Sequence, residues 1–381
     1  MSQWHIDPTP YSLMVLALGL IGLGFTFVAQ SQVLGVVFLA AAGLAITYHL
    51  YHEKRESMND MTCPIGQDCV KVVSSKYSRF LGVSVEILGG FYYGFILLTY
   101  GLIFIMSGAI PSWLLFIALA ASTFAVLFSG YLTYIQAVPL GWMWCVWCVT
   151  SAIISTFILI ASLLRIGDGI VPLLSMYEPI SFTIYLLSIA VGLGTAVATD
   201  VLFINFSRDF EISKAQANAI TTLYQVTWAA LAFIVVAGLG YFIPHYQDLM
   251  QSAGFRVSMV TLAVILLNEL LLHFNVGERM KKLRFVVKEE EREQDELQRK
   301  RQLTFILTTV SAVSWAAMFV SAFAEALFEI PFTFTEMVTA YLVIVLLAAF
   351  LGLLVEKILS LRAVGRLEDY LPFDLMGETA H

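Results

Sequence analysis

The chain has 381 residues, 59% of them apolar and 13% charged, with a formal net charge of −7. Soluble globular proteins average about 45–50% apolar and about 25% charged residues. The composition therefore excludes an ordinary soluble domain, and nothing basic enough for a nucleic-acid partner is present.

Long apolar runs alternate with short polar segments, the pattern of a polytopic protein whose surroundings are membrane lipid. A bilayer needs about 20 apolar residues per helix. On that ruler ten spans are predicted, over residues 11–29, 34–51, 81–106, 113–134, 143–164, 182–206, 219–242, 257–274, 303–323 and 334–355. The N-terminus lacks a basic n-region, and Tyr11 onward runs straight into a full-length apolar span, so no cleavable signal peptide is expected. The fold class is an all-α integral membrane protein. Two parts are expected: a catalytic membrane domain over 1–166, with one extra N-terminal helix, and a C-terminal helical module over 167–381.

Two polar segments interrupt the apolar pattern. Residues 52–80 form a loop with Cys63, Pro64, Gly66 and Cys69. Residues 277–302 are rich in Arg, Lys and Glu, with Asp295/Arg299 and Glu296/Lys300 four apart, which suits an exposed helix extending the ninth span. The distal part also repeats itself. Thr221-Thr222, Val226-Thr227-Trp228-Ala229-Ala230 is matched by Thr308-Thr309, Val313-Ser314-Trp315-Ala316-Ala317, and Met259-Val260-Thr261 by Met337-Val338-Thr339. Each unit reads as a helix pair, as in transporters and also in inert bundles.

Only four cysteines occur, in two close pairs at span ends, Cys63-x5-Cys69 and Cys145-x2-Cys148. Pro139, Leu140 and Gly141 break the chain before the fifth span, placing Cys145 near a helix N-terminus, where backbone N–H groups favour a thiolate. Cys148 lies one turn deeper, within reach of a lipophilic acceptor. Trp142, Trp144 and Trp147 surround the pair and suit the membrane interface. Two spans separate the pairs, so both face one side, and a flexible Cys63/Cys69 loop could swing between a soluble thiol partner and Cys145/Cys148. Four thiolates could instead bind structural zinc, or the cysteines could be inert.

Cys63-x5-Cys69-x5-Ser75-x-Tyr77-x4-Gly82-x6-Gly89 followed by Cys145-Val-Trp-Cys148-x2-Ser151 resembles the vitamin K epoxide reductase family in its prokaryotic branch, over roughly 34–164. The resemblance implies a four-helix bundle in a prokaryotic cell membrane, with a quinone of ubiquinone or menaquinone type beside Cys148. It implies that a separate thioredoxin-like or other dithiol protein reduces Cys63/Cys69, that Cys69 exchanges with Cys145, and that Cys148 faces the quinone. Ser75 and Trp147 are the residues it suggests for the quinone site. No thioredoxin-like domain is fused here, and Ala152 stands where animal members carry an aromatic residue, which favours quinone reduction over epoxide reduction.

Positive charge marks the cytoplasmic side of a membrane protein. With ten spans, the cysteine face receives 19 of the 21 Lys and Arg residues, and the other face only Arg165 and Arg256. The cysteines are thus expected to face the cytoplasm. Glu86, Asp200 and Glu269, with Asn268, are ionisable or polar groups inside spans and functional candidates, although all lie near the cysteine face and could reach the interface. His245 and His273 sit at opposite ends of their spans. The expected activity is oxidation of a dithiol protein with transfer of electrons to a quinone. The alternative is a transporter or binding protein in which the cysteines are regulatory or structural.

Overall fold

The computed structural model describes residues 10–56, 63, 69–106, 111–138, 140–208, 214–276, 291–327 and 332–370. Among them are helices α1 (Pro10–Leu23), α2 (Gln32–Glu56), α3 (Cys69–Val73), α4 (Val85–Ile105), α5 (Ser112–Ala137), α6 (Val146–Ile166) and α7 (Ile170–Met176). There follow α8 (Glu178–Arg208), α9 (Lys214–Phe242), α10 (Tyr246–Gln251), α11 (Ala253–Val276), α12 (Glu291–Leu327) and α13 (Phe334–Tyr370). Ten helices among the described residues are long and apolar enough to cross a membrane. The protein is an all-α integral membrane protein.

Most span boundaries shift by a few residues from the sequence expectation, and two of the shifts bear on the site. The third helix begins at Val85, not at 81, because residues 79–84 form a two-stranded antiparallel hairpin, β1 (Arg79–Phe80) and β2 (Val83–Ser84), with Arg79 opposite Ser84. Its turn places Leu81 at φ 50° and Gly82 at φ 82°, left-handed geometry that a two-residue hairpin requires and glycine accepts without strain. The fifth helix begins at Val146, not at 143. Gly141 (φ 69°) and Trp142 (φ 63°) reverse the chain first, leaving Cys145 extended as the N-cap.

The chain divides into two compact units, Met1–Tyr185 with Ala232–Pro244, and Leu186–Leu231 with His245–His381. In the first, α2, α4, α5 and α6 form a four-helix bundle and α1 packs along α2. The seam is apolar and periodic: Val36, Leu39, Ala40, Ile46 from α2, Tyr93, Ile96, Tyr100, Ile103 from α4, and Ile154, Ile158, Ala161 from α6 are all buried. Lipid is as apolar as these side chains, so close packing rather than water exclusion holds such helices together. Gly43 makes that approach possible, since a Cβ there would overlap the Tyr93 ring.

In the second unit α11 and α13 both pack on α12, and polar side chains bridge the helices. Asn268 Nδ2 donates to the Leu307 carbonyl at 2.9 Å, the Ser311 hydroxyl donates to Glu269 Oε1 at 2.7 Å, and Ser258 and Ser321 share a 2.8 Å bond. Arg301 pairs with Glu356. Glu269 is therefore not reaching for the interface; it is 2% exposed and bonded to α12. At the matched positions of the sequence repeat, Thr227 bonds Thr195 of the preceding helix at 3.0 Å, whereas Ser314 bonds Tyr341 of the following helix at 2.9 Å. The repeat tryptophan Trp315 is fully buried, and a Cβ on Gly192 would overlap its ring. Residues 291–302 continue the ninth span as a helix. Residues 277–290 of the charged connector, the loop residues Pro64 and Gly66, Pro139 and the His273 side chain lie outside the described residues.

Candidate redox site

The inner cysteine pair is set by the reversal between α5 and α6. Gln136, buried in the last turn of α5, accepts the Cys145 N–H on its Oε1 at 2.8 Å, and its carbonyl accepts the Met143 N–H at 3.1 Å. One side chain thus pins the segment that delivers Cys145. As N-cap, Cys145 Sγ accepts the Cys148 N–H at 3.4 Å. The Cys145 thiol, wholly buried, is held below its ordinary value chiefly by a hydrogen bond with the Cys148 thiol; burial opposes this, and the N–H groups of Cys148 and Trp147 reinforce it.

The outer pair, Cys63 and Cys69, forms a disulfide with its Cα atoms 6.2 Å apart. Cys69 opens the short helix α3, whose Val72 and Val73 are buried, and this helix caps the bundle on the cysteine side. Cys69 and Cys145, both fully buried, lie in one apolar cluster, and Cys63 and Cys148 pack against it. Both thiols of the inner pair are free. Among the described residues, no three His, Cys, Asp or Glu side chains converge as metal ligands.

Two cavities meet at Cys148. The larger, about 1010 Å³, is walled mostly by apolar side chains of α2, the 80–83 hairpin, α4, α5, α6 and residues 170–184 and 233–243, at the upper end of the range for small-molecule sites. One group of its polar side chains lies beside Cys148: Tyr93 OH bonds Ser151 Oγ at 2.8 Å and Ser155 Oγ at 2.9 Å, one and two turns along α6. The smaller cavity, about 60 Å³, lies under the cap and is lined by Ser75, Tyr77, Ser78, Glu86, Gln136 and Cys148. Glu86 and Cys148 line both.

The structure separates the two residues expected at a quinone. Ser75 lines the small cavity, and its buried hydroxyl has no protein partner. Trp147 is 2% exposed and packs on His49 at 4.9 Å and edge-on to Tyr11 at 6.5 Å between ring centres, and it does not line the large cavity. Of the other two tryptophans, Trp142 is 71% exposed and suits an interface, with Trp144 beside it.

Residues 34–163 match the sequence model of the Vitamin K epoxide reductase family. No curated protein matches the chain, and no solved structure does. The matched segment contains both cysteine pairs, the cap and the whole four-helix bundle, and the match supports a membrane thiol–disulfide redox enzyme. The vitamin K epoxide reductase segment does not supply the whole cavity, however. Tyr177, Ser181, Ile184 and the stretch from Phe233 to Ile243 also wall it, all beyond residue 163. Sequence reasoning missed Gln136, Tyr93 and Ser155. The only signal was their polarity inside apolar runs, which many membrane residues share.

Proposed function

We propose that the protein oxidises a dithiol protein and passes the electrons through Cys63/Cys69 and then Cys145/Cys148 to a quinone held in the large cavity. The observation that carries this is the double position of Cys148, bonded to the thiol that shares a cluster with Cys69 and exposed to an apolar cavity of about 1010 Å³. A partner's thiols reduce the Cys63–Cys69 disulfide and leave with a disulfide of their own. The Cys69 thiolate attacks Cys145 of an oxidised inner pair, releasing Cys148 as thiolate. Cys63 then attacks Cys69, restoring the outer disulfide and freeing Cys145. Oxidised outer pair and reduced inner pair, as found here, is the arrangement at the end of that exchange. A lowered Cys145 pKa suits its role as leaving group.

The residues fit a quinone: an apolar wall for its tail and ring, and the Tyr93–Ser151 hydroxyls for a ring oxygen. Such a group supplies a two-electron, two-proton acceptor. We also propose that the cysteine face is cytoplasmic, from the 19 of 21 Lys and Arg residues on that side.

Purified protein supplied with a dithiol and a short-tailed quinone should reduce it, and Cys145→Ser or Cys148→Ser should bring the rate to background. Survival of quinone-dependent thiol oxidation in both variants overturns the relay. Labelling of intact cells with a membrane-impermeant thiol reagent tests the orientation; rapid modification of reduced Cys63 from outside rejects it.

A further inference from the structure

Cysteines and a quinone exchange two electrons, and the cavity in which the exchange ends is mostly apolar, its donors chiefly hydroxyls, which are weak acids. The two thiols that become a disulfide release two protons, and the acceptor needs two on its oxygens. Cys148 lines that cavity and Cys145 does not, so only one of the two thiol protons is released at its wall. One proton must therefore come inward by another route.

Among the described residues, Glu86 is the only carboxylate on the wall of the large cavity. It stands in the first turn of α4, 8% exposed, and its Oε1 is 3.0 Å from Lys54 Nζ, at the cysteine-side end of α2. Lys54 is the more accessible partner, at 19% against 6% for the Glu86 side chain, and its Nζ also donates to Ser78 Oγ at 3.5 Å. Between this pair and Cys148 lies the small cavity, whose about 60 Å³ has room for about two waters at roughly 30 Å³ each. The unpartnered Ser75 hydroxyl and the Tyr77 side chain line it with Glu86. The titratable groups that line the small cavity or pair with Glu86 are Lys54 from α2, Tyr77 from the cap and Cys148 from α6. An ion pair, a water-sized cavity with a few polar groups on a mostly apolar wall, and the large apolar cavity thus adjoin one another, with Glu86 common to all three.

We propose that Glu86, recharged through Lys54 and the small cavity, is the proton donor to the acceptor bound in the large cavity. This rests on the quinone reading above. An acceptor bound in the large cavity stands against Glu86, which shares that wall with Cys148. Glu86 then gives its proton to an acceptor oxygen and recovers one from water at the cysteine face through the Lys54 ammonium. The second proton is that of the Cys148 thiol, which its thiolate takes up, from those the partner's thiols release, before the acceptor is reduced. The balance closes: the two thiols lose two electrons and two protons and form the Cys145–Cys148 bond, and the acceptor gains two electrons and two protons, one of them exchanged with solvent.

Glu86→Gln should lower kcat for quinone reduction by about a hundredfold, within the range of general-acid catalysis. The KM for quinone should stay unchanged, and the residual rate should fall as pH rises. Glu86→Asp should restore most of it. Dithiol reduction of Cys63–Cys69, followed by alkylation without quinone, should be unaffected. A second readout needs no turnover: pH-difference infrared spectra of quinone-free protein should contain a carboxylic-acid band that shifts in deuterium oxide and is absent from Glu86→Gln. Should that variant not fold, Lys54→Gln must show the same pH-dependent slowing. An unchanged kcat and pH profile, or the lack of such a band, overturns the assignment. A wild-type chain that reduces no quinone overturns the relay instead, and the infrared band then still decides Glu86.

Discussion

The two units bury polar side chains in comparable numbers but put them to different uses. In the second unit they face one another across helix seams: Asn268 to the Leu307 carbonyl, Ser311 to Glu269, Ser258 to Ser321, Arg301 to Glu356. In the first, Tyr93, Ser151, Ser155 and Glu86 also bond their neighbours, yet each borders a cavity as well. An ionisable residue in a membrane span is therefore not diagnostic by itself. The useful question is whether its free side meets packed helix or open volume. Glu86 and Glu269 look alike in sequence and part ways on this point.

The sharpest break of that contrast is Arg301→Met. Stranding the buried Glu356 carboxylate should cost about 3–5 kcal/mol, seen in thermal unfolding, while Glu356→Leu added to it should recover much of the loss. Thiol oxidation per folded molecule should not change. If it falls with stability, the second unit is more than scaffold.

The paired glycines come next. Gly43→Val and Gly192→Val each drive a methyl into a buried ring, Tyr93 or Trp315, and each should cost about 1–3 kcal/mol. Only Gly43→Val should also raise the quinone KM, by displacing Tyr93 from Ser151. Equal kinetic effects would erase the distinction between the units.

Gln136→Leu leaves the buried Cys145 N–H without an acceptor, at about 1–3 kcal/mol. It should slow formation of a trapped Cys69–Cys145 mixed disulfide more than it lowers the melting temperature. The smallest effect is in titration. In reduced protein, Cys145 alkylation should rise with a midpoint below the about 8.5 of a free thiol, because its thiolate is stabilised. Cys148→Ala removes the first of the groups responsible and should move that midpoint up.

Much of this architecture is legible in the residues alone. Ten spans follow from apolar run length, and the cysteine pairs from their spacing, since both signals are local. The exact start of α4 was also open to reading, because Leu81-Gly82 between Phe80 and Val83 is a hairpin turn, but the apolar run swamped it. What stayed hidden depends on neighbours far away in sequence. Nothing near Gln136 announces that it holds Cys145 from nine residues away, and Trp147 looks like an interfacial ring until Tyr11 and His49 are seen enclosing it.

The wall of the large cavity carries a consequence for how such proteins diverge. All four cysteines sit in the segment that matches the family, but Tyr177, Ser181, Ile184 and residues of the Phe233–Ile243 stretch are contributed to the cavity from outside it. Two chains sharing every cysteine could therefore differ in which lipid-soluble molecule they admit, because that choice is made by residues free to drift without touching the thiols. A shortened chain ending at 163 would keep all four sulfurs and lose one side of the chamber, leaving the inner pair open to whatever the bilayer brings.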